Sequence, residues 1–264
     1  MITFISRNSE DIRQIVAEFK REHQILFSNY FGVQQNVEYD VYQGERTVLI
    51  RKNEDTFNRL YIITSDLDDL KNLLLILDKG QYVLNIPTKE NIKKECALLN
   101  DSGFYQIGEY VRLSNIDLRG GYNYLSEMIA PIQNSLEVEY AIEDDEQAIF
   151  DLLYVTFDKR VDYLPTHKEL KEMIEQNQVL VLRDELPISG VLIYTIIGKK
   201  CYENAWVDVT GNGLLLMHKL YELMVENKIV MTNFWVRKDN KPVLLAHKRL
   251  GATFDGITDY TFAN

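Results

Sequence analysis

The sequence predicts a mixed α/β protein, an α+β arrangement around a mixed sheet, built as two related halves. Three observations carry that prediction. The stretch Tyr202–Gly251 reads as strand (CYENAWVDV), glycine turn (TGNG), apolar helix (LLLMHKLYELMVEN), strand (IVMTNFWV), and helix closed by Gly251 (DNKPVLLAHKRLG). Strand–helix–strand with a tight turn between strand and helix makes a parallel βαβ unit with backbone amides exposed at one end. Strand-like and helix-like segments also alternate along the whole chain. Finally, NIPTKENIKKECALLNDSGFYQIGEYVRL in the first half echoes NFWVRKDNKPVLLAHKRLGATFDGITDYTF in the second. Each echo holds a strand, a helix begun near an Asn (Asn91, Asn240), a closing Gly (Gly103, Gly251) and an alternating strand. An internal repeat of this kind points to a tandem of like domains.

Taken in order, Ile2 to Ile5 is a short strand and a helix begins near Asn8 or Ser9. Ile12, Ile15, Val16 and Phe19 give that helix one apolar face. VEYDVYQ and RTVLIRK form a hairpin across Gly44-Glu45, and FNRLYIIT follows as a third strand. Ser65-x-x-Asp68 reads as a capping box opening the helix DLDDLKNLLLIL. The strand QYVLNIP, the helix KENIKKECALLNDSG and the strand FYQIGEYVRLS complete the first half. Asn115 to Leu136, with Gly120-Gly121 and Pro131, reads as a linker, dividing the chain into domains 1–130 and 131–264. The second half opens with a strand at Glu139 to Ile142 and a helix near Asp144 to Phe157. Thr166-x-x-Glu169 caps the next helix. Strands then turn at Leu186-Pro187 and at Gly198-Lys199 before the stretch already described.

Composition narrows the function. The 264 residues are 46% hydrophobic and 26% charged, ordinary for a globular protein. A formal net charge of -11 argues against a nucleic-acid partner and against anionic membranes, since either would want a basic face. No apolar run is long enough for a signal peptide or a membrane span. Cys96 and Cys201 form no C-x-x-C pair, so buried thiols in a reducing, cytoplasmic compartment are expected. His23 and His167 lack ligating neighbours at helical spacing, and no metal site is expected.

The order and spacing of the second half resemble the GNAT (N-acetyltransferase) superfamily, with the first half a degenerate GNAT-like partner. The resemblance implies acetyl-CoA as co-substrate and transfer of an acyl group to a small-molecule or peptide amine. The family's phosphate turn runs Arg or Gln, two residues, Gly, one residue, Gly or Ala. Here Asp208-Val209-Thr210-Gly211-Asn212-Gly213 keeps both glycines and places a carboxylate first. That carboxylate would repel a pyrophosphate unless it points away. The implied cofactor-binding residues are Trp206 and Val207 along the strand edge, Gly211, Asn212 and Gly213 at the turn, and Asn240 at the last helix. The implied catalytic residues are Glu203, as general base, and His247, which stands where the family often has a Tyr that protonates the departing thiolate. Tyr260 on the final strand is a weaker acceptor-pocket candidate.

Plain structural readings stand beside these. Glu203 is then an exposed strand residue, His247 a packed histidine, Asn240 a helix cap beside Pro242, and the glycines a simple turn. By strand alternation, Cys201, Glu203, Ala205 and Val207 should face one side, and Tyr202, Asn204, Trp206 and Asp208 the other. His218 reads as a surface residue of a helix whose buried stripe is Gly213, Met217, Leu220 and Met224. Two rival functions remain: a catalytically inactive ligand- or protein-binding module of the same fold, and an aminoacyl-tRNA-dependent tandem transferase. The acidic charge disfavours the second rival.

Overall fold

The computed structural model describes residues 2–34, 37–54, 56–78, 80–131, 136–184 and 187–264. The chain forms two compact units: one of residues up to Glu109 together with Thr258–Asn264, the other of Tyr110–Ile257.

Unit 1 contains β1 (Ile5–Arg7), α1 (Ser9–Glu22), β2 (Phe27–Ser28), β3 (Tyr39–Gln43), β4 (Thr47–Asn53), β5 (Asn58–Thr64), α2 (Leu67–Leu75), β6 (Tyr82–Thr88) and α3 (Lys93–Asp101). Asn8 caps α1, accepting the amides of Glu10 and Asp11 at 2.9 Å each. The apolar stripe of α1 buries Ile12, Val16 and Phe19 against β3 and β4. β3 and β4 pair as the expected hairpin, closed by the Gly44 amide donating to Thr47 O at 2.9 Å. β4 and β5 read as continuous apolar runs because both of their faces are covered, by α1 on one side and by α2 and α3 on the other. The cap of α2 is Asp66, one residue after the Ser65 expected; its Oδ1 accepts the amides of Asp68 and Asp69. A carboxylate is the better partner for two amides, and the Ser65 hydroxyl turns to Arg46 O.

Unit 2 contains α4 (Leu118–Ile129), β8 (Glu137–Tyr140), α5 (Glu146–Thr156), α6 (His167–Glu175), β9 (Val179–Arg183), β10 (Gly190–Ile197), β11 (Lys200–Asp208), α7 (Leu214–Glu226), β12 (Met231–Arg237) and α8 (Lys241–Arg249). The capping box at Thr166 and Glu169 forms as expected. Two long strands, β7 (Tyr105–Asn115) and β13 (Thr253–Ala263), settle the division into units. Tyr110–Asn115 of β7 pairs with β12 in unit 2, and Thr258–Ala263 of β13 pairs with β6 in unit 1. The boundary expected at residue 130 is therefore displaced, because strand partners rather than chain order decide which sheet a segment joins.

The expected linker is also corrected. Most of it is α4, capped by Asp117 and burying Leu118, Leu125 and Ile129. Gly120-Gly121 looked like a breaker, yet Gly121 lets α4 lie against α7: a Cβ there would stand 2.4 Å from Tyr221 Cε1. Residues 132–135 of that stretch, and Leu186 of the expected Leu186-Pro187 turn, lie outside the described residues. The internal echo is real in detail. Gly103 and Gly251 both take positive φ, +87° and +91°, just past α3 and α8. The next amides, Phe104 and Ala252, then donate back to Leu99 O and His247 O at 2.9 and 3.0 Å. No described helix is long and apolar enough to cross a membrane.

Candidate functional site

The site grows from two irregularities in β11. It pairs with β10 on one side, but the register shifts between Ile193 and Tyr194: Ile193 opposes Ala205 and Tyr194 opposes Glu203, leaving Asn204 as the extra residue of a bulge. A bulge re-aims the side chains beyond it. On the other side β11 runs parallel to β12 only from Lys200 to Glu203, the last pair being Glu203 with Phe234. Beyond that the two strands part. The bulge overturns the simple alternation expected from sequence. Cys201 packs with α4 and α7, and so does Trp206, whereas Ala205 and Val207 pack with α5 and α6 on the opposite face. Glu203, Trp206 and Asp208 are thereby brought to the side that α7 and α8 cover.

Where the strands part, Glu203 meets His247 of α8. The Glu203 Oε1 to His247 Nε2 distance is 3.6 Å, with side chains 7% and 1% exposed. Glu203 is not the exposed strand residue of the plain reading. Burial raises its carboxyl to about 8, and burial lowers the imidazole to about 3. Both effects favour the uncharged forms, so near neutral pH the two form a neutral acid–base couple rather than an ion pair. His247 stacks on Phe234 at 3.9 Å between centroids and meets Trp206 edge-on at 5.7 Å. Its Nδ1 and the Trp206 Nε1 are both buried without a hydrogen-bond partner. Two such orphans in one place are uncommon in a folded interior and call for a cause.

The turn after β11 is the second part. Asp208 does not point away: Gly213 N donates to its Oδ2 at 2.8 Å, and Thr210 N to its Oδ1 at 3.1 Å. The Thr210 hydroxyl donates to the same Oδ1 at 3.3 Å. The carboxylate thus holds the turn closed just ahead of α7, near the positive end of the helix dipole. Gly211 is needed for its φ of +86°, and Gly213 for space, since a Cβ there would stand 2.8 Å from Asp208 Cβ and 2.9 Å from Trp206 Nε1. Between this turn and α8 lies a cavity of about 220 Å³, lined by Trp206, Asp208, Gly211, Gly213 and, from α7 and α8, Leu214, Pro242, Val243 and Ala246.

No protein-family model matches the sequence, and no curated protein matches it. Solved structures do match its backbone. A tandem GNAT protein from the clavulanic acid biosynthesis pathway aligns over 100% of this chain and 98% of its own, with a TM-score of 0.60 at 9% identity. A GCN5-related N-acetyltransferase from Sphaerobacter thermophilus aligns over 99% and 95%, with a TM-score of 0.57 at 10% identity. A GNAT-family acetyltransferase from Colwellia psychrerythraea aligns over 100% and 98%, with a TM-score of 0.52 at 11% identity. The chain has a tandem GNAT fold. At such identities the likeness shows the fold alone.

Within this tandem GNAT fold the expected site residues separate. Trp206, Gly211 and Gly213 line the cavity with Asp208. Asn212 is beside it, its Nδ2 donating to Thr210 Oγ1 at 3.4 Å. Asn240 caps α8, accepting the Val243 amide at 3.3 Å. The Val207 side chain is buried on the opposite face, so only its backbone is on the splayed edge. Tyr260 belongs to unit 1, where it lines a separate cavity of about 690 Å³ with α3. His218 is corrected: it is half-buried, stacked on Tyr122 and 3.0 Å from Ser126 Oγ. Sequence reasoning missed the meeting of Glu203 with His247, because a bulge leaves no periodic signal. It also missed the cavity walls Leu214, Pro242, Val243 and Ala246. The acetyl-CoA expected from the sequence resemblance carries a diphosphate that does not fit the turn as built: the Thr210 and Gly213 amides already serve a carboxylate, whose charge opposes a phosphate.

Proposed function

We propose that the chain is an acyltransferase working from unit 2, joining an acyl group, most simply acetyl, from a thioester to a small-molecule or peptide amine. The observation that carries this reading is the neutral Glu203–His247 couple placed where β11 and β12 part. Amide formation from a thioester requires the amine to lose a proton and the leaving sulfur to gain one. A carboxyl raised to about 8 exchanges its proton near neutral pH, so Glu203 is the group that takes the amine's proton and returns one to the leaving sulfur. An imidazole lowered to about 3 is too weak a base for that and serves as the partner that positions Glu203. The orphan Trp206 Nε1 and His247 Nδ1 are polar groups available to a ligand at the same place. Acetyl-CoA is the donor that the fold suggests, although its diphosphate does not fit the turn as built. Unit 1 is then the degenerate partner domain.

The test is product formation, read by mass spectrometry, with acetyl-CoA or a truncated acetyl thioester against a panel of amines. Turnover that falls about a hundredfold or more in Glu203→Gln and in His247→Phe, with both variants folded, supports the reading. A second reading has its own observation. The filled turn at Asp208 favours a module of this fold that binds a ligand without transferring anything. Ligand binding with no amide product from any amine would establish that alternative.

A further inference from the structure

We infer that Asp208 is an internal substitute for the anion that a turn of this shape collects, so that the unit 2 site recognises its ligand without a diphosphate at the turn. The inference rests on the acyl-transfer reading only for the identity of the ligand, an acyl thioester held by its pantetheine-like arm.

The geometry is that of a filled anion site. A loop with one glycine at φ +86° and another at the start of a helix turns its amides inward, and the helix dipole adds a positive end. In this chain the inward amides of Thr210 and Gly213 end on the two oxygens of one side chain of the same loop. The fit is tight, since the Gly213 Cα carries no room for a single methyl group between Asp208 and Trp206. Among the described residues no ion pair joins a Lys or Arg to Asp208, so its partners are the two amides, the Thr210 hydroxyl and a helix end. A diphosphate arriving there would have to displace the carboxylate and then sit beside it. The rest of the site makes no such demand. Among the described residues β12 does not pair with β11 beyond Glu203, and the cavity at that end is walled by Leu214, Pro242, Val243 and Ala246. Those surfaces suit an extended chain with amides and methylenes, which a pantetheine arm supplies.

The experiment compares acetyl-pantetheine, acetyl-CoA and inorganic pyrophosphate, by calorimetry and thermal shift, on the wild type, Asp208→Asn and Asp208→Ala. Asp208→Asn keeps an acceptor oxygen for one of the two amides and removes the charge, and Asp208→Ala frees both amides, so a thermal melt of each variant confirms that it is folded. In the wild type, acetyl-pantetheine and acetyl-CoA should bind alike within about threefold, and pyrophosphate should neither bind nor compete. Both variants should gain pyrophosphate binding and about tenfold or more in acetyl-CoA affinity, with acetyl-pantetheine unchanged. Pyrophosphate competing with acetyl-CoA in the wild type would overturn the inference, as would variants that gain nothing. If neither thioester binds any form of the protein, the acyl-transfer reading fails, and the gain or absence of pyrophosphate binding in the variants still decides the role of Asp208.

Discussion

The two units solve the same problem differently. Each has a central strand that leaves its parallel neighbour early: β5 pairs with β6 only at Asn58 and Arg59, and β11 with β12 only up to Glu203. In unit 1 the freed edge is filled by the chain itself. β2 pairs with Ile63 and Thr64, and the Asn29 side chain, 3% exposed, donates to Leu60 O at 3.1 Å while accepting the Ile62 amide at 2.6 Å. Its gap also holds a polar network, in which Arg59 donates to Asn85 Oδ1 at 2.6 Å and the Asn85 amide reaches Asp259 and Thr261. The turn between β5 and α2 is short, and its capping Asp66 is paired with Arg46 at 2.8 Å. In unit 2 the edge stays open, the turn keeps its glycines, and a single carboxylate fills it. A gap closed by a whole segment is committed to structure. An unfilled strand edge beside a turn occupied by one side chain is the arrangement from which we propose that Asp208 sets ligand specificity.

That contrast can be broken or sharpened by mutation, with the largest effect expected at Asn29. Asn29→Ala leaves the Ile62 amide and Leu60 carbonyl buried and unpartnered, costing about 3 kcal/mol in chemical denaturation. A change below about 0.5 kcal/mol would mean that the unit 1 edge is not closed by this residue. Gly213→Ala forces a methyl against Asp208 and Trp206 and should cost about 2 kcal/mol. A neutral outcome there would show that the turn is looser than its geometry.

Asp66→Ala should lower thermal stability by less than Gly213→Ala, with Asp66→Asn recovering most of the loss because Asn also caps helices well. The last test is a pH dependence. Burial raises the Glu203 carboxyl in the folded state to about 8, so the folded protein holds a proton there that the unfolded chain has released. Stability from this group is lost as pH rises from the ordinary carboxylate range toward about 8. His247, lowered to about 3, acts with the opposite sign between about 3 and the ordinary histidine range near 6.5. The two offset each other in mildly acidic solution, and the Glu203 loss stands alone above about 6.5. Glu203→Gln should therefore gain stability relative to the wild type as pH is raised from 6.5 to 8, measured by denaturant midpoints; parallel curves would place Glu203 in a solvated setting.

Local order was written in the chain. The caps at Asn8, Thr166 and Asn240, the hairpin at Gly44 and the paired Gly103 and Gly251 all follow from rules that act over a few residues, and the alternation of strands and helices placed the fold in its class. The repeat around Asn91 and Asn240 was legible for the same reason. What tertiary structure alone decided was partnership. β7 and β13 carry no mark saying which sheet they join, so the domain boundary fell elsewhere than at residue 130. Gly120-Gly121 looked like a break because its use depends on Tyr221, about a hundred residues away in sequence. The bulge at Asn204 turned Glu203 and Trp206 to the same face, although strict alternation set them apart. Asp208 could be seen to have the wrong charge for a phosphate turn, but only the folded loop showed where that charge went. Caps and turns are local free-energy minima that a short sequence can specify. Strand partners, bulges and the aim of a buried carboxylate depend on groups that meet only after the chain has folded.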